Sequence, residues 1–126
     1  MINSIKSFGN YPKLNHASYQ YFSWLSDNLD FSDDSKYLCY GFGKSYGDSC
    51  LNPDGNIIFT QFLNRIINFD NENGVLCVES GITLKQCIDF LMPRKWFLPV
   101  TPGTKLITVG GAVANDVHGK NHHRSE

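Results

Sequence analysis

The sequence predicts an α+β domain, and three observations carry that prediction. Apolar runs of strand length recur at 36–40, 57–60, 65–69 and 75–79, each bounded by turn-forming residues. One segment, 83–91, combines a specified helix start with a helical repeat of apolar positions. The strands are too short and too closely joined by turns for a doubly wound nucleotide-binding sheet.

In chain order, residues 17–29 place Ala17, Tyr21, Trp24, Leu25 and Leu29 along one face and predict a helix. "KYLCY" (36–40) is an apolar run that breaks at Gly41 and reads as a buried strand. A long loop then runs to the turn signal Pro53-Asp54-Gly55-Asn56, and "IIFT" (57–60) forms the next strand. "RIINF" (65–69) and "VLCVE" (75–79) flank Asp70–Gly74, which predicts a hairpin whose turn uses Gly74. Thr83 and Gln86 have capping-box spacing: the hydroxyl accepts from the first turn while the glutamine reaches back. Leu84, Cys87, Ile88 and Leu91 follow at i, i+3, i+4 and i+7, Pro93 ends the helix, and a closing strand completes the order.

The bulk properties narrow the function classes. A chain of 126 residues with 41% hydrophobic and 13% aromatic content builds a folded core rather than a disordered tail. The net charge of −1, with no long run of one sign, argues against a nucleic-acid groove or an anionic-membrane patch. No segment reaches transmembrane length and the N-terminus lacks a signal-peptide stretch, so a cytoplasmic location is expected. The four cysteines have no CxxC pair or zinc-type spacing. Cys39, Cys77 and Cys87 fall in apolar runs and read as buried, reduced thiols, while Cys50 lies in a loop where exposure is expected.

Two glycine-rich segments carry the chemistry. "GFGKSYGDS" (41–49) directly follows a strand, and Gly41, Gly43 and Gly47 permit positive φ and close approach to an anion. Successive amides in such a turn converge on phosphate oxygens, with Lys44 as cation, Ser45 as hydroxyl and Tyr46 as a flat face. The spacing G-x-G-x-x-x-G is followed by "DSCLNPDG", which opens no helix, so neither a Rossmann site nor a P-loop fits. Taken alone, the segment reads equally as an anion cradle or as a glycine-rich surface loop. "PVTPGTKLITVGGAVAND" (99–116) is the second segment. Its run Gly110-Gly111-Ala112-Val113-Ala114 permits tight packing, with helix amides directed at a pyrophosphate or simply with elements packed closely together. Two separated cradles favour a large phosphate-bearing cofactor. His118, His122 and His123 invite a metal reading, but Gly119 interrupts helical spacing and only Asp116 lies nearby, so no metal site is expected. Solvated histidines and a polar wall facing a cofactor ring, with Lys120 as a cation, remain the two readings of that stretch.

The motifs "GFGKSYGDS", "VESGITLKQ" and "LPVTPGTKLITVGGAVANDVHGKNHH", with their spacing, resemble the FAD-binding domain of the p-cresol methylhydroxylase (PCMH)/vanillyl-alcohol oxidase superfamily. The likeness covers roughly 36–123 and is strongest to the branch that holds decaprenylphosphoryl-β-D-ribose oxidase; sugar-lactone and alditol oxidases carry variants of the first motif. The resemblance implies that residues 1–126 are the N-terminal portion of a PCMH-type FAD-binding domain, a first lobe with a short mixed sheet and flanking helices. It assigns Gly41, Phe42, Gly43, Lys44, Ser45, Tyr46, Gly47, Asp48 and Ser49 to a first phosphate loop. Gly103, Thr104, Thr108, Gly110, Gly111 and Asn115 would form a second. His118 would lie beside the flavin ring, and Lys120 would face the reactive side and the substrate. The implied activity is FAD-dependent oxidation of a secondary alcohol of a sugar or polyprenyl-phosphoryl pentose. Lys44 stands where many relatives carry the histidine that bonds FAD covalently, which implies non-covalent binding. Tyr40 replaces an arginine usual in close relatives, which implies weaker phosphate contacts. The family continues beyond the equivalent of Glu126 into a substrate domain. The alternative expectation is therefore a non-catalytic FAD-binding module, self-associating or completed by a partner chain.

Overall fold

The computed structural model describes residues 5–32 and 34–119. The chain divides into two compact units, Met1–Leu63 and Asn64–Glu126.

The first unit is built on a parallel three-stranded sheet of β1 (Ser18–Tyr21), β2 (Tyr37–Tyr40) and β3 (Asn56–Phe59), in the order β1-β3-β2. The central strand β3 is buried at every position, as expected for a strand covered on both faces. Ile57 and Phe59 form a core with Tyr40, Cys50 and Leu51, against which Ile5, Leu14, Tyr19 and Leu38 pack. The register places Tyr19 and Leu38 opposite Ile57, and Tyr21 and Tyr40 opposite Phe59. Tyr21 stacks on Phe59 at 5.1 Å between centroids, and Tyr40 meets the same ring edge-on at 5.6 Å. Before β3, the Asn52 amide group donates to Lys36 O and Asn56 O, and its backbone N–H donates to His16 Nε2. Burial pushes the His16 imidazole below its ordinary value, partly opposed by the Asp54 carboxylate, so the neutral acceptor form is favoured.

The helix expected over 17–29 is not formed. Ser18–Tyr21 instead adds an edge strand to β3, because aromatic residues suit a half-buried pleated surface and the ladder satisfies the backbone. Asp27 Oδ2 then accepts from the amides of Ser23 and Trp24, and Asp27 N donates to Trp24 O, which turns the chain where the helix would continue. Trp24 and Leu25 remain exposed.

The second unit opens with a hairpin, β4 (Ile66–Asp70) and β5 (Val75–Val78), paired antiparallel with a register shift between Ile66 and Asn68. Asp70 Oδ1 accepts from the amides of Glu72 and Asn73, while Gly74 takes φ +69°. The Asn73 side chain, then these amides, hold the Asp70 carboxyl below its ordinary value. The Trp96 ring packs on Gly74, where a Cβ would lie 2.4 Å from Cζ3. Glu79 is buried beside Arg65: its carboxylate accepts from the Arg65 amide at 2.8 Å and from Nη1 at 3.1 and 3.2 Å.

Helix α1 (Leu84–Leu91) starts as its sequence dictates. Thr83 Oγ1 accepts from Gln86 N, Gln86 Oε1 accepts from Thr83 N, and Leu84, Cys87, Ile88 and Leu91 form the buried face. A 3₁₀ turn, Met92–Arg94, carries Pro93 and ends at Lys95 in the left-handed region. The closing strand is reduced to one antiparallel bridge, Thr83 opposite Thr108. Pro99 and Pro102 remove donors from the stretch that would have paired. Helix α2 (Val109–Ala114) follows, with Thr108 as N-cap.

The thiols differ from expectation in three of four cases. Cys39 and Cys77 are exposed, because side-chain alternation turns each away from the more buried neighbours Leu38 and Tyr40, and Leu76 and Val78. Cys50, in its loop, is buried in the core cluster, and Cys87 is buried as expected. Burial pushes the Cys50 and Cys87 thiols above the ordinary value of 9.0.

Alkylation of the native chain with iodoacetamide, read by peptide mass spectrometry, should label Cys39 and Cys77 and leave Cys50 and Cys87 until denaturant is added. Because the fold retains the two buried thiol protons, stability should also fall as pH rises above 9.0. In thermal or urea unfolding, Ile57→Ala should cost about 2–5 kcal/mol through the cavity it leaves, whereas Thr83→Ala should cost about 1 kcal/mol through the lost cap.

Candidate functional site

The first glycine segment occupies the crossover between two adjacent parallel strands. A chain leaving β2 must return to the start of β3 before it can pair in the same direction, so residues 41–55 make a long excursion. The loop therefore begins at the carboxyl end of β2, the end where parallel sheets present ligand-binding turns. Gly43 and Gly47 take φ +60° and +59°, while Gly41 keeps an ordinary φ. At Gly43 the backbone passes so near its neighbours that a Cβ would lie 2.1 Å from Lys6 O and 2.2 Å from Tyr40 Oη.

The amides of this loop are available. Among the described residues, no main-chain carbonyl accepts from the amides of Gly43, Lys44, Tyr46 or Gly47. The Ser45 amide instead donates to the buried Cys50 thiol, and Ser45 O accepts from Phe8 N at 3.0 Å. Ser49 Oγ donates to Tyr46 O and Leu51 N to Asp48 O, which closes the far side of the turn. Phe42, Lys44, Tyr46, Gly47, Asp48 and Ser49 are exposed, with Gly41, Gly43 and Ser45 half-buried. A turn with a lysine and amides that no main-chain carbonyl engages suits an anion, although the Asp48 carboxylate balances the Lys44 charge over 41–49.

The second segment is sewn to the start of α1. Leu84 N donates to Ile107 O and Lys85 N to Lys105 O, so two of the amides that a helix leaves unpaired at its start are satisfied. The start of α2 is closed in return: Val109 N donates to Ile82 O, Gly110 N to Ser80 O, and Gly111 N to Thr108 Oγ1. The expected presentation of α2 amides to a pyrophosphate is therefore not met, since these donors are engaged within the unit. Gly110 has the packing role, because a Cβ there would sit 3.0 Å from Ser80 Cβ.

The available donors lie one turn upstream. Among the described residues, no main-chain carbonyl accepts from the amides of Gly103, Thr104, Lys105 or Ile107, and residues 103–106 are exposed. Thr104 Oγ1 accepts from Leu106 N and shapes this turn. Asn115 caps α2, with Nδ2 donating to Gly111 O at 2.7 Å. The chain then returns, because a Cβ at Gly119 would lie 2.7 Å from Thr101 O. This return carries exposed His118 back beside the stretch that leads into Gly103. Lys120, His122 and His123 lie outside the described residues. Among the described residues no three His, Cys, Asp or Glu side chains gather to hold a metal ion.

Residues that local motifs did not single out also shape the first loop. Lys6 and Phe8 touch it, and Tyr40 supports it from the core. Their separation in sequence leaves no local signal, although the tyrosine at position 40 is itself visible as an unusual residue before the glycines.

Comparison with known proteins identifies the family. A family model described as an FAD binding domain matches residues 32–126. Decaprenylphosphoryl-β-D-ribose oxidase of Mycolicibacterium smegmatis is 43% identical over 86 residues, 68% of this chain and 19% of that protein. A probable L-gulonolactone oxidase of Arabidopsis thaliana is 39% identical over 66 residues, 52% of this chain and 11% of that protein. Among solved structures, an alkyldihydroxyacetonephosphate synthase superposes with a TM-score of 0.60 at 18% identity, over 70% of this chain and 18% of that one, which is a likeness of fold. The chain thus spans about a fifth or less of the length of these relatives. With its family match reaching from the end of the β1–β2 connection through both glycine segments, the chain belongs to the FAD binding domain family.

Proposed function

We propose that residues 1–126 are the N-terminal, FAD-binding portion of an oxidoreductase that binds FAD non-covalently and oxidises a secondary alcohol of a sugar or polyprenyl-phosphoryl pentose. The observation that carries this reading is the pair of exposed turns, Gly43–Gly47 and Gly103–Ile107, whose amides are largely unengaged among the described residues. Each turn by itself offers donors suited to phosphate oxygens, and Lys44 adds a positive charge to the first. Ser45, Ser49 and Thr104 supply hydroxyls, Phe42 and Tyr46 supply faces, and Gly41 and Asp48 complete the first loop. In the second segment Thr108, Gly110, Gly111 and Asn115 hold the backbone that presents Gly103 and Thr104. When bound, FAD supplies the hydride acceptor. His118 and Lys120 take the ring-facing and substrate-facing positions in this proposal, with Lys120 stabilising negative charge near the reacting centre. The substrate class is taken from the names of the matched relatives.

A second reading is favoured by the 19% span of the mycobacterial enzyme. In it the chain is a module that contributes phosphate-binding residues, with the substrate walls supplied by other residues or by a partner chain.

Titration of the chain with FAD and with riboflavin, followed by flavin fluorescence, separates these readings. Saturable one-to-one FAD binding, with riboflavin much weaker, supports a phosphate-directed site within the chain. Lys44→Ala should then weaken FAD about tenfold through loss of a charged contact, with a smaller dependence on salt. FAD binding that occurs only after addition of a complementing polypeptide supports the second reading. Failure of the flavin-loaded complete protein to be bleached by any sugar alcohol or polyprenyl-phosphoryl pentose would remove the proposed activity.

A further inference from the structure

We infer that Tyr40 is a positioning residue for the first glycine loop, acting through a clasp formed by residues 6–8. This inference rests on the reading of Gly41–Ser49 as a phosphate loop. Tyr40 is the last residue of β2, and its ring is fixed in the core against Phe59. Its hydroxyl leaves that core and donates to Lys6 O at 2.6 Å while accepting from Lys6 N at 3.2 Å. Both contacts are to backbone, so the hydroxyl holds the path of the N-terminal segment whatever side chain stands at position 6.

Two residues later, Phe8 N donates to Ser45 O at 3.0 Å, and the Phe8 ring meets Tyr46 edge-on at 5.1 Å. Buried Ser7 lies between, its hydroxyl donating to Tyr11 O, which turns the segment back on itself. The clasp thus grips the loop at Gly43, where only glycine leaves room for Lys6 O and Tyr40 Oη, and at Ser45–Tyr46. With the Ser45 carbonyl engaged by Phe8, the loop is held through an acceptor, and among the described residues no main-chain carbonyl accepts from the amides of Gly43, Lys44, Tyr46 or Gly47. Burial pushes the Tyr40 phenol above its ordinary value, so the donor persists through the neutral pH range. Tyrosine here does structural work on the loop from behind, a different task from that of a cation directed at phosphate.

Tyr40→Phe is the decisive variant, because it keeps the ring in the core and removes only the hydroxyl. Hydrogen exchange on the flavin-free chain should show the Phe8 amide exchanging about fivefold faster, the loss of one hydrogen bond's worth of protection. FAD affinity should fall by about the same factor. Phe8→Pro, which removes the amide donor and the ring, should weaken FAD similarly, and the double variant should be no weaker than either single one. Lys6→Ala should leave Phe8 exchange unchanged, because position 6 enters the clasp through its backbone alone. Unchanged Phe8 exchange in Tyr40→Phe would overturn the clasp. Additive losses in the double variant would overturn the claim that Tyr40 acts through residues 6–8. Faster Phe8 exchange in Tyr40→Phe, with no FAD bound by the unaltered chain either alone or with a complementing polypeptide, would support the clasp as a structural device, refute the flavin reading and overturn the positioning role toward phosphate.

Discussion

The first unit depends on one strand. β3 forms the ladder to β1 on one side and to β2 on the other, and none of its four residues is exposed. Ile57 is wholly buried, and Phe59 anchors the rings of Tyr19, Tyr21 and Tyr40. Because β2 and β3 are adjacent and parallel, the chain between them must travel the length of the sheet. The glycine loop is the first part of that journey. Cys50 and Leu51 then bring the chain back into the core beside Tyr40. The loop is consequently held at both ends by the same hydrophobic cluster, while its middle stays open to solvent.

The second unit reaches a similar result by another route. Residues 80–85 and 105–111 exchange backbone hydrogen bonds in both directions, so the starts of α1 and α2 cap each other's neighbouring segments. Buried Thr83 and Thr108 stand opposite one another at the centre of this exchange, each also an N-cap. The exchange satisfies helix-terminal donors that would otherwise seek an anion. It leaves Gly103, Thr104, Lys105 and Ile107 with amides that no main-chain carbonyl engages among the described residues. In each unit the turn proposed to bind phosphate is stretched between well-satisfied anchors, an arrangement that would lower the ordering entropy opposing binding.

What could be read from the sequence was governed by the range of the interactions involved. The α1 cap, its buried face and the Gly74 hairpin turn were legible because each is decided within a few residues. The strand Ser18–Tyr21 was not, because its helical pattern was overridden by pairing with β3, far along the chain. Cys50 sits in a loop by sequence but in the core by packing, and Cys39 and Cys77 sit in apolar strands whose exposed face no local pattern marks. The glycine segments and the family were legible from motif and spacing. That the amides of Gly103–Ile107 rather than those of α2 are available required the hydrogen bonds to Ser80, Ile82 and Thr108. The support of the first loop by Lys6 and Phe8 spans more than thirty positions of sequence and leaves no local trace.

In the proposed site, phosphate is held by amides of two turns and not by those of a helix N-terminus. Backbone amide NMR of the labelled chain during addition of FAD tests it most directly. Saturable shifts are expected at Gly43, Lys44, Tyr46 and Gly47 and at Gly103–Ile107, with Val109, Gly110 and Gly111 little changed. Shifts confined to Val109–Gly111, with both turns silent, would contradict it.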